Sequence, residues 1–232
     1  MAAALRAFVL VACLAPQIAD TQTSVTWLIL VDDLHISFVE SGRLRTLLRA
    51  IGTDLILGSD TIVLRMTGPT NPPEARVVDR EGLRQAGLRA TGNALKLTAE
   101  LIQSGVLSDE VPLRERRAQD ATLELLSTVA GRNVTRPVLV FISSGWPLGP
   151  KSAGVETLVA RARSLNIPIV TIDPRYAGRD SGDPLYDSAT SEFVYAAEAS
   201  LQALADQTSG LALLAPRYVP YAMDRANAFA RR

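Results

Sequence analysis

The sequence is poor in the residues that usually build metal centres and covalent scaffolds. It has a single cysteine, Cys13, in 232 residues, which excludes a disulfide framework and a cysteine-based zinc site. It has a single histidine, His35, so no multi-histidine metal centre can form. Just two of the 24 basic residues are lysines, Lys96 and Lys151. The arginine bias reads as a GC-rich bacterial coding composition rather than as an arginine-specific phosphate function. Excess charge of either sign is absent: 24 basic and 24 acidic residues cancel. A dedicated nucleic-acid binder would show a basic face, so none is expected. No internal repeat or low-complexity segment interrupts the chain. At 47% hydrophobic and 21% charged, its length suffices for one domain with a substantial core.

Residues 1–19, MAAALRAFVLVACLAPQIA, stand apart from that domain. Arg6 precedes an apolar run from Ala7 to Ala15, which is too short to span a bilayer as a helix. The pattern resembles a secretory signal peptide and implies a secreted or periplasmic protein of a bacterium. Cleavage after Ala19 would put Gln17 where a small residue is preferred. Leu10-Val11-Ala12-Cys13 also reads as a lipobox that would carry a lipid on Cys13. A cleaved leader, a lipid anchor and a buried first strand or uncleaved anchor therefore stand as alternatives. No other membrane attachment is expected.

The body, expected as one domain over residues 24–215, alternates strands and helices. Val25 to Val31 is a continuous apolar, β-branched run, the pattern of a strand buried on both faces. A helix over Arg43 to Ile51 carries Leu44, Leu47, Leu48 and Ile51 on one stripe, with Ser41 expected as its cap and Gly52 as its end. Strands are predicted over Thr61 to Met66, Val138 to Ile142, Ile167 to Ile172 and Leu211 to Leu214. A turn over 68–73 leads to a short return strand, Ala75 to Val78, making an antiparallel edge. Helices are predicted from Asp79, as cap, to Ala90, over Ala94 to Gln103, Leu113 to Ala130, Val155 to Leu165 and Glu192 to Gln207. Residues 216–232 are expected as a C-terminal extension in which Tyr221 to Arg232 could be helical. Alternating strands and helices at this spacing predict a doubly wound, mostly parallel α/β sheet with helices on both faces.

Ligands of such sheets bind beyond the carboxyl ends of the strands. The candidate groups are those that follow strands: Asp32, Asp33, His35 and Ser37, then Ser143 and Ser144, then Asp173. Each also has a plain structural reading. The paired aspartates can cap a turn, the serines can hold one, and Asp173 before Pro174 is a common turn start. His35 can be a loop histidine with a satisfied hydrogen bond. Asp180, Asp183 and Asp187 lack calcium-loop spacing and read as a solvated loop. No Gly-x-Ser-x-Gly elbow occurs. Pro150 interrupts the phosphate-loop likeness of Gly145 to Ser152, because proline lacks the backbone donor that such a cradle needs.

In these blocks the chain resembles the von Willebrand factor A family, and most closely its exported bacterial branch. The resemblance runs from Val25 to Leu214. It rests on the strand ending in Asp32-Asp33-Leu34-His35, on Val138 to Gly145, on Val170 to Arg175 and on Leu201 to Gly210. It implies a Rossmann-like fold, protein binding, and a metal-ion-dependent adhesion site of the form Asp-x-Ser-x-Ser with a Thr from a second loop and a later Asp. Mg²⁺ in such a site keeps several waters and one position for a partner's carboxylate. This chain departs from the pattern at each element. With Asp32 first, the serine positions become Leu34 and Ile36. With Asp33 first, they become His35 and Ser37, the register in which both groups are polar. Arg89 stands where the threonine is expected near Thr91-Gly92-Asn93, with Thr122 as a rival, and Ser144 replaces the later aspartate.

The resemblance therefore implies a non-enzymatic, exported protein-interaction module with a degenerate adhesion site. Its Mg²⁺ or Mn²⁺ would be held by a set drawn from Asp32, Asp33, His35, Ser37, Ser144 and Asp173. A protein partner would be met at the strand C-terminal rim, with Trp146 as either an exposed aromatic anchor or a packed ring. The alternatives are a metal-assisted exported hydrolase using Asp32, Asp33 and Asp173, and a metal-free scaffold.

Overall fold

The computed structural model describes residues 23–68, 74–95, 107–178 and 191–232. The leader-like segment with Cys13, most of the predicted turn, the bulk of the helix expected over Ala94 to Gln103, and Asp180, Asp183 and Asp187 lie outside the described residues. Six strands form one sheet: β1 (Thr26–Val31), β2 (Thr61–Met66), β3 (Arg76–Val78), β4 (Pro137–Ile142), β5 (Ile169–Ile172) and β6 (Leu211–Leu213). Their order is β3-β2-β1-β4-β5-β6. Every pairing is parallel except that of β2 with β3. This is the doubly wound sheet that the sequence predicts, antiparallel edge included.

Strand β1 lies at its centre because both of its faces are apolar. Trp27, Ile29 and Val31 enter one buried cluster, while Leu28 and Leu30 enter the other. β4 divides in the same way, with Val138, Val140 and Ile142 on the first side and Leu139 and Phe141 on the second. The period of two in a strand makes this division automatic. Helices α1 (Ser41–Ala50), α2 (Arg80–Arg89) and α6 (Val219–Ala230) cover the first face, and α3 (Leu107–Ser127), α4 (Ala153–Ser164) and α5 (Ser191–Gln207) the second.

Several helix boundaries differ from those expected. Ser41 opens α1 rather than capping it, and Glu40 is its N-cap. Gly52 does not end the helix, which widens into a π turn, Ile51–Leu55. That turn sends both Ile51 and Leu55 into the first cluster, a packing gain that offsets its poorer hydrogen-bond geometry. Helix α3 starts at Leu107, upstream of the expected Leu113. It carries Pro112 near its start, where proline forfeits a single intrahelical bond. Ala94 and Leu95 are not helical. The segment 216–232, expected as an extension, supplies α6, whose Val219, Ala222, Met223, Ala226 and Ala230 are buried in the first cluster.

The strands end in register. Val31 pairs with Met66 and Ile142, Ile142 with Ile172, and Ile172 with Leu213. The residues that follow β2, β1, β4 and β5 therefore fall in a single row along the rim: Thr67, Asp32, Ser143 and Asp173. The rim groups are adjacent because of this register, although they are far apart in sequence.

The opposite end of β1 is closed by Asp60. Its Oδ1 accepts from the Val25 N–H at 2.9 Å, and its Oδ2 from Trp27 Nε1 at 2.9 Å, Leu57 N–H at 2.8 Å and Arg231 Nη2 at 2.5 Å. Burial works to raise the pKa of Asp60, but its bonds from Arg231, Leu57, Trp27 and Val25 outweigh burial and hold its carboxyl below the usual range. Such a group contributes stability above its unfolded pKa and loses it as the pH falls through the folded value. Asp60→Ala is expected to lower the unfolding free energy by about 2–4 kcal/mol in urea titrations at pH 7, since it strands buried donors. The deficit should shrink below about pH 4, where the wild-type carboxyl loses its advantage.

Candidate functional site

The chain runs from β1 to β2 on one side, while β4 pairs with β1 on the other, so the strand order reverses between β1 and β4. Asp32 stands at this switch point, where ligands of doubly wound sheets bind. Its N–H donates to the Ile142 carbonyl at 2.8 Å, continuing the parallel ladder by one residue. Its carboxylate is wholly buried and is filled by protein hydrogens. Oδ2 accepts from His35 Nδ1 at 2.8 Å, Ser143 Oγ at 2.8 Å and Trp146 Nε1 at 3.0 Å. Oδ1 faces His35 Nδ1 at 3.0 Å and Thr67 Oγ1 at 3.3 Å.

Trp146 is buried, the packed one of its two readings and not the exposed rim anchor. Its indole reaches inward to Asp32, and its backbone N–H donates to Ser200 Oγ at 2.8 Å. The ring meets Phe141 edge-on at 5.8 Å between centroids. Gly145 makes this turn possible. Its φ is +88°, and a Cβ there would lie 2.0 Å from the Ala197 carbonyl oxygen, so the loop passes too close to α5 for any side chain.

Asp33 shares Thr67 with Asp32 but none of its other partners. Its Oδ1 accepts from Thr67 Oγ1 at 2.7 Å and its Oδ2 from Asn93 Nδ2 at 3.3 Å. Burial pushes its carboxyl up to about 6; the Thr67 bond opposes this and the Asp32 charge adds to it. The Thr91-Gly92-Asn93 loop packs directly on the β1–α1 loop. Asn93 N–H donates to Asp33 O at 2.7 Å and Ala94 N–H to Ile36 O at 2.9 Å. Arg114 of α3 clamps both loops through bonds to Asn93 O at 2.5 Å and Leu34 O at 3.4 Å.

The remaining predicted residues are dispersed. Ser37 is half-buried, and its N–H donates to Glu40 Oε2 at 3.3 Å. Ser144 is buried with no hydrogen-bond partner for its Oγ. Asp173 is buried in a fork with Arg175, whose Nε lies at 2.8 Å and Nη2 at 2.5 Å from its Oδ2. Burial raises the Asp173 carboxyl to about 6 against the pull of Arg175, which leaves an ionised pair at neutral pH. Arg89 is exposed on α2, and Thr122 donates to Ala118 O within its own helix at 2.7 Å. Among the described residues, no group of three or more His, Cys, Asp or Glu side chains is placed to hold a metal ion. A hard cation needs several oxygen lone pairs directed at one point. Here those of Asp32 receive N–H and O–H groups and those of Asp173 receive a guanidinium, so the residues do not fit the implied Mg²⁺ or Mn²⁺.

Two groups escaped the sequence reading. Thr67 bridges the two aspartates, and the sole signal for it was its place directly after a strand. Glu115 is buried on α3 with Oε2 unpartnered. Burial raises its carboxyl, while a Ser152 bond and the His35 charge oppose the shift. Its signal was a charged residue on the stripe Val111, Ala118, Leu125 and Val129, at core-facing spacing.

No protein-family model matches the chain, and no curated protein matches it. Solved structures do resemble it in shape. An aerotolerance-related membrane protein from Bacteroides fragilis, carrying multiple mutations to serine, is 12% identical over 90% of this chain and 98% of that one, with a TM-score of 0.50. Proximal thread matrix protein 1 of the mussel byssus is 10% identical over 90% of this chain and 48% of that one, with a TM-score of 0.41. The N-terminal domain of TFIIH p34 is 12% identical over 88% and 96%, with a TM-score of 0.37. The first of these supports the Rossmann-like α/β fold, and identity at this level speaks to fold alone.

The raised Asp33 carboxyl has a testable sign. The folded state holds its proton more tightly than the unfolded state, so this group's stability contribution is lost as the pH rises from about 4 to 6. Asp33→Asn is expected to be more stable than wild type at pH 7.5, on the order of 2 kcal/mol, and to converge with it near pH 4. Thermal melts of both proteins across that range provide the check.

Proposed function

We propose that this domain is a metal-independent protein-interaction module of the von Willebrand factor A type, presenting Phe38 and Val39 to a protein partner. One observation carries the metal-independent part: Asp32, at the switch point, is fully engaged by His35, Ser143 and Trp146. The resemblance of the rim blocks to that family supports the interaction part. The same engagement of Asp32 and Asp173 counts against a metal-assisted hydrolase, since both carboxylates would have to exchange protein donors for an ion.

The contact surface follows from exposure. Phe38 is 74% and Val39 82% exposed, and they are adjacent on the β1–α1 loop at the rim. A large aromatic and a β-branched residue held side by side in water are costly unless a partner covers them. They are also held rigidly. Ser41 Oγ donates to Phe38 O at 2.7 Å and accepts from the Gly92 N–H at 3.0 Å. A preformed loop loses little entropy on binding. Export belongs to the same proposal and rests on the leader-like residues 1–19. Among the described residues, no helix is long and apolar enough to cross a membrane.

Two measurements test this reading. The melting temperature is expected to agree within about 1 °C in millimolar Mg²⁺, Mn²⁺ or chelator, because a ligand that binds the folded state must raise it; a saturable rise with either ion would defeat metal independence. A photo-crosslinking amino acid at position 38, in the native host, is expected to trap one discrete protein adduct. The same probe at Val77, equally exposed on edge strand β3, should trap none. Equal labelling at both positions would remove the case for the rim.

A further inference from the structure

A cavity of about 100 Å³ opens beside His35 at the rim. It lies between the β1–α1 and β4–α4 loops and helices α3 and α5. Leu34, Leu95, Val111, Phe193 and Val194 give it apolar walls. Its polar lining comes from His35, Ser144 and the arginines Arg114 and Arg175, and among the described residues no aspartate or glutamate lines it.

Two buried polar atoms of that lining have no hydrogen-bond partner: His35 Nε2 and Ser144 Oγ. The His35 side chain is 7% exposed, and Ser144 is 8% exposed. Buried polar atoms are nearly always paired, and an unpaired one beside a cavity calls for an occupant. The occupant's chemistry follows from the atoms. Nδ1 of His35 is committed to Asp32, and a carboxylate accepts without donating, so Nδ1 carries a hydrogen and Nε2 is the ring atom left for a ligand. Ser144 offers a hydroxyl. The volume is smaller than the roughly 150 Å³ that accommodates benzene, so it suits about four to six non-hydrogen atoms.

We propose that this cavity binds a small aliphatic monocarboxylic acid. Its carboxyl group would meet His35 Nε2 and the Ser144 hydroxyl, with one hydrogen lying between Nε2 and a ligand oxygen. Its alkyl part packs against Leu34, Val111 and Phe193. The two arginines of the lining favour an acid over an amine, and the apolar walls favour an alkyl chain over a fully polar anion. This small-molecule site goes beyond the interaction reading and stands independently of it.

The single histidine of the chain makes the test specific, because its ring nitrogens give the sole histidine side-chain signals in a long-range ¹H–¹⁵N spectrum. Isobutyrate is the probe, and isobutyramide is its neutral control of the same shape. Isobutyrate is expected to shift the Nε2 resonance saturably, with a Kd on the order of 1 mM. The control should bind at least tenfold more weakly. Ser144→Ala should weaken isobutyrate binding about tenfold. Val111→Phe, which fills the cavity with an apolar ring, should abolish the shift while leaving a folded spectrum. An unsaturated response, equal responses to acid and amide, or an unchanged titration in Val111→Phe would overturn the proposal and leave a cavity that holds water alone. None of these outcomes bears on whether Phe38 contacts a protein, or on the response to divalent ions.

Discussion

The rim is organised by one buried carboxylate. Asp32 extends the central strand by one residue and gathers hydrogens from His35, Ser143 and Trp146, which come from two loops more than a hundred residues apart. In a low-dielectric interior, a carboxylate with several charge-assisted hydrogen bonds is held far more firmly than an exposed one. Without it, Trp146 would bury an unpaired indole N–H, the Ser143 turn would lose its anchor, and His35 would lose the bond that orients its ring. That bond lies within the β1–α1 loop, which also carries Phe38 and Val39.

The two tryptophans of the chain occupy matching roles at opposite ends of the sheet. Trp27 donates its indole N–H to Asp60 at the amino end, and Trp146 donates to Asp32 at the carboxyl end. A buried tryptophan combines a large apolar surface with one obligatory donor, so each needs an acceptor inside. The aspartates differ in their remaining partners. Asp60 faces Arg231 and is structural. Asp32 faces a histidine whose second nitrogen borders a cavity. The amino end of β1 is thereby closed, while the carboxyl end keeps room for a ligand.

Much of the fold was legible in the residues. The run Thr26 to Val31 reads as a doubly buried strand, and strand–helix alternation leads to the parallel sheet. Asp79 caps α2 through the Gly82 N–H at 2.7 Å, as expected. The rim row was partly legible, since Asp32, Ser143 and Asp173 each follow a strand. What each side chain does there was less legible. Asp33 and Asp32 are sequence neighbours of one chemical type, yet they point into different loops. Trp146 follows Gly145 in a turn that resembles an exposed tip, yet α5 passes over it within contact distance. Residues 216–232 lie beyond the last predicted strand, yet their helix closes the first cluster.

The sequence by itself determined where apolar periodicity changes from two to three or four residues, and so which segments are strands and which are helices. That information is local, because a strand's alternation and a helix's stripe are set by backbone geometry over a few residues. It also determined that β1, β2, β4 and β5 are each followed by a polar residue. The tertiary structure alone decided which hydrogens fill those groups. Strand register brings Thr67, Asp32, Ser143 and Asp173 into one row, and burial then requires every carboxylate there to find partners at hydrogen-bond distance. Those partners come from loops and helices distant in sequence, and whether a row of oxygens holds an ion, an arginine or an indole is settled by what packs above it.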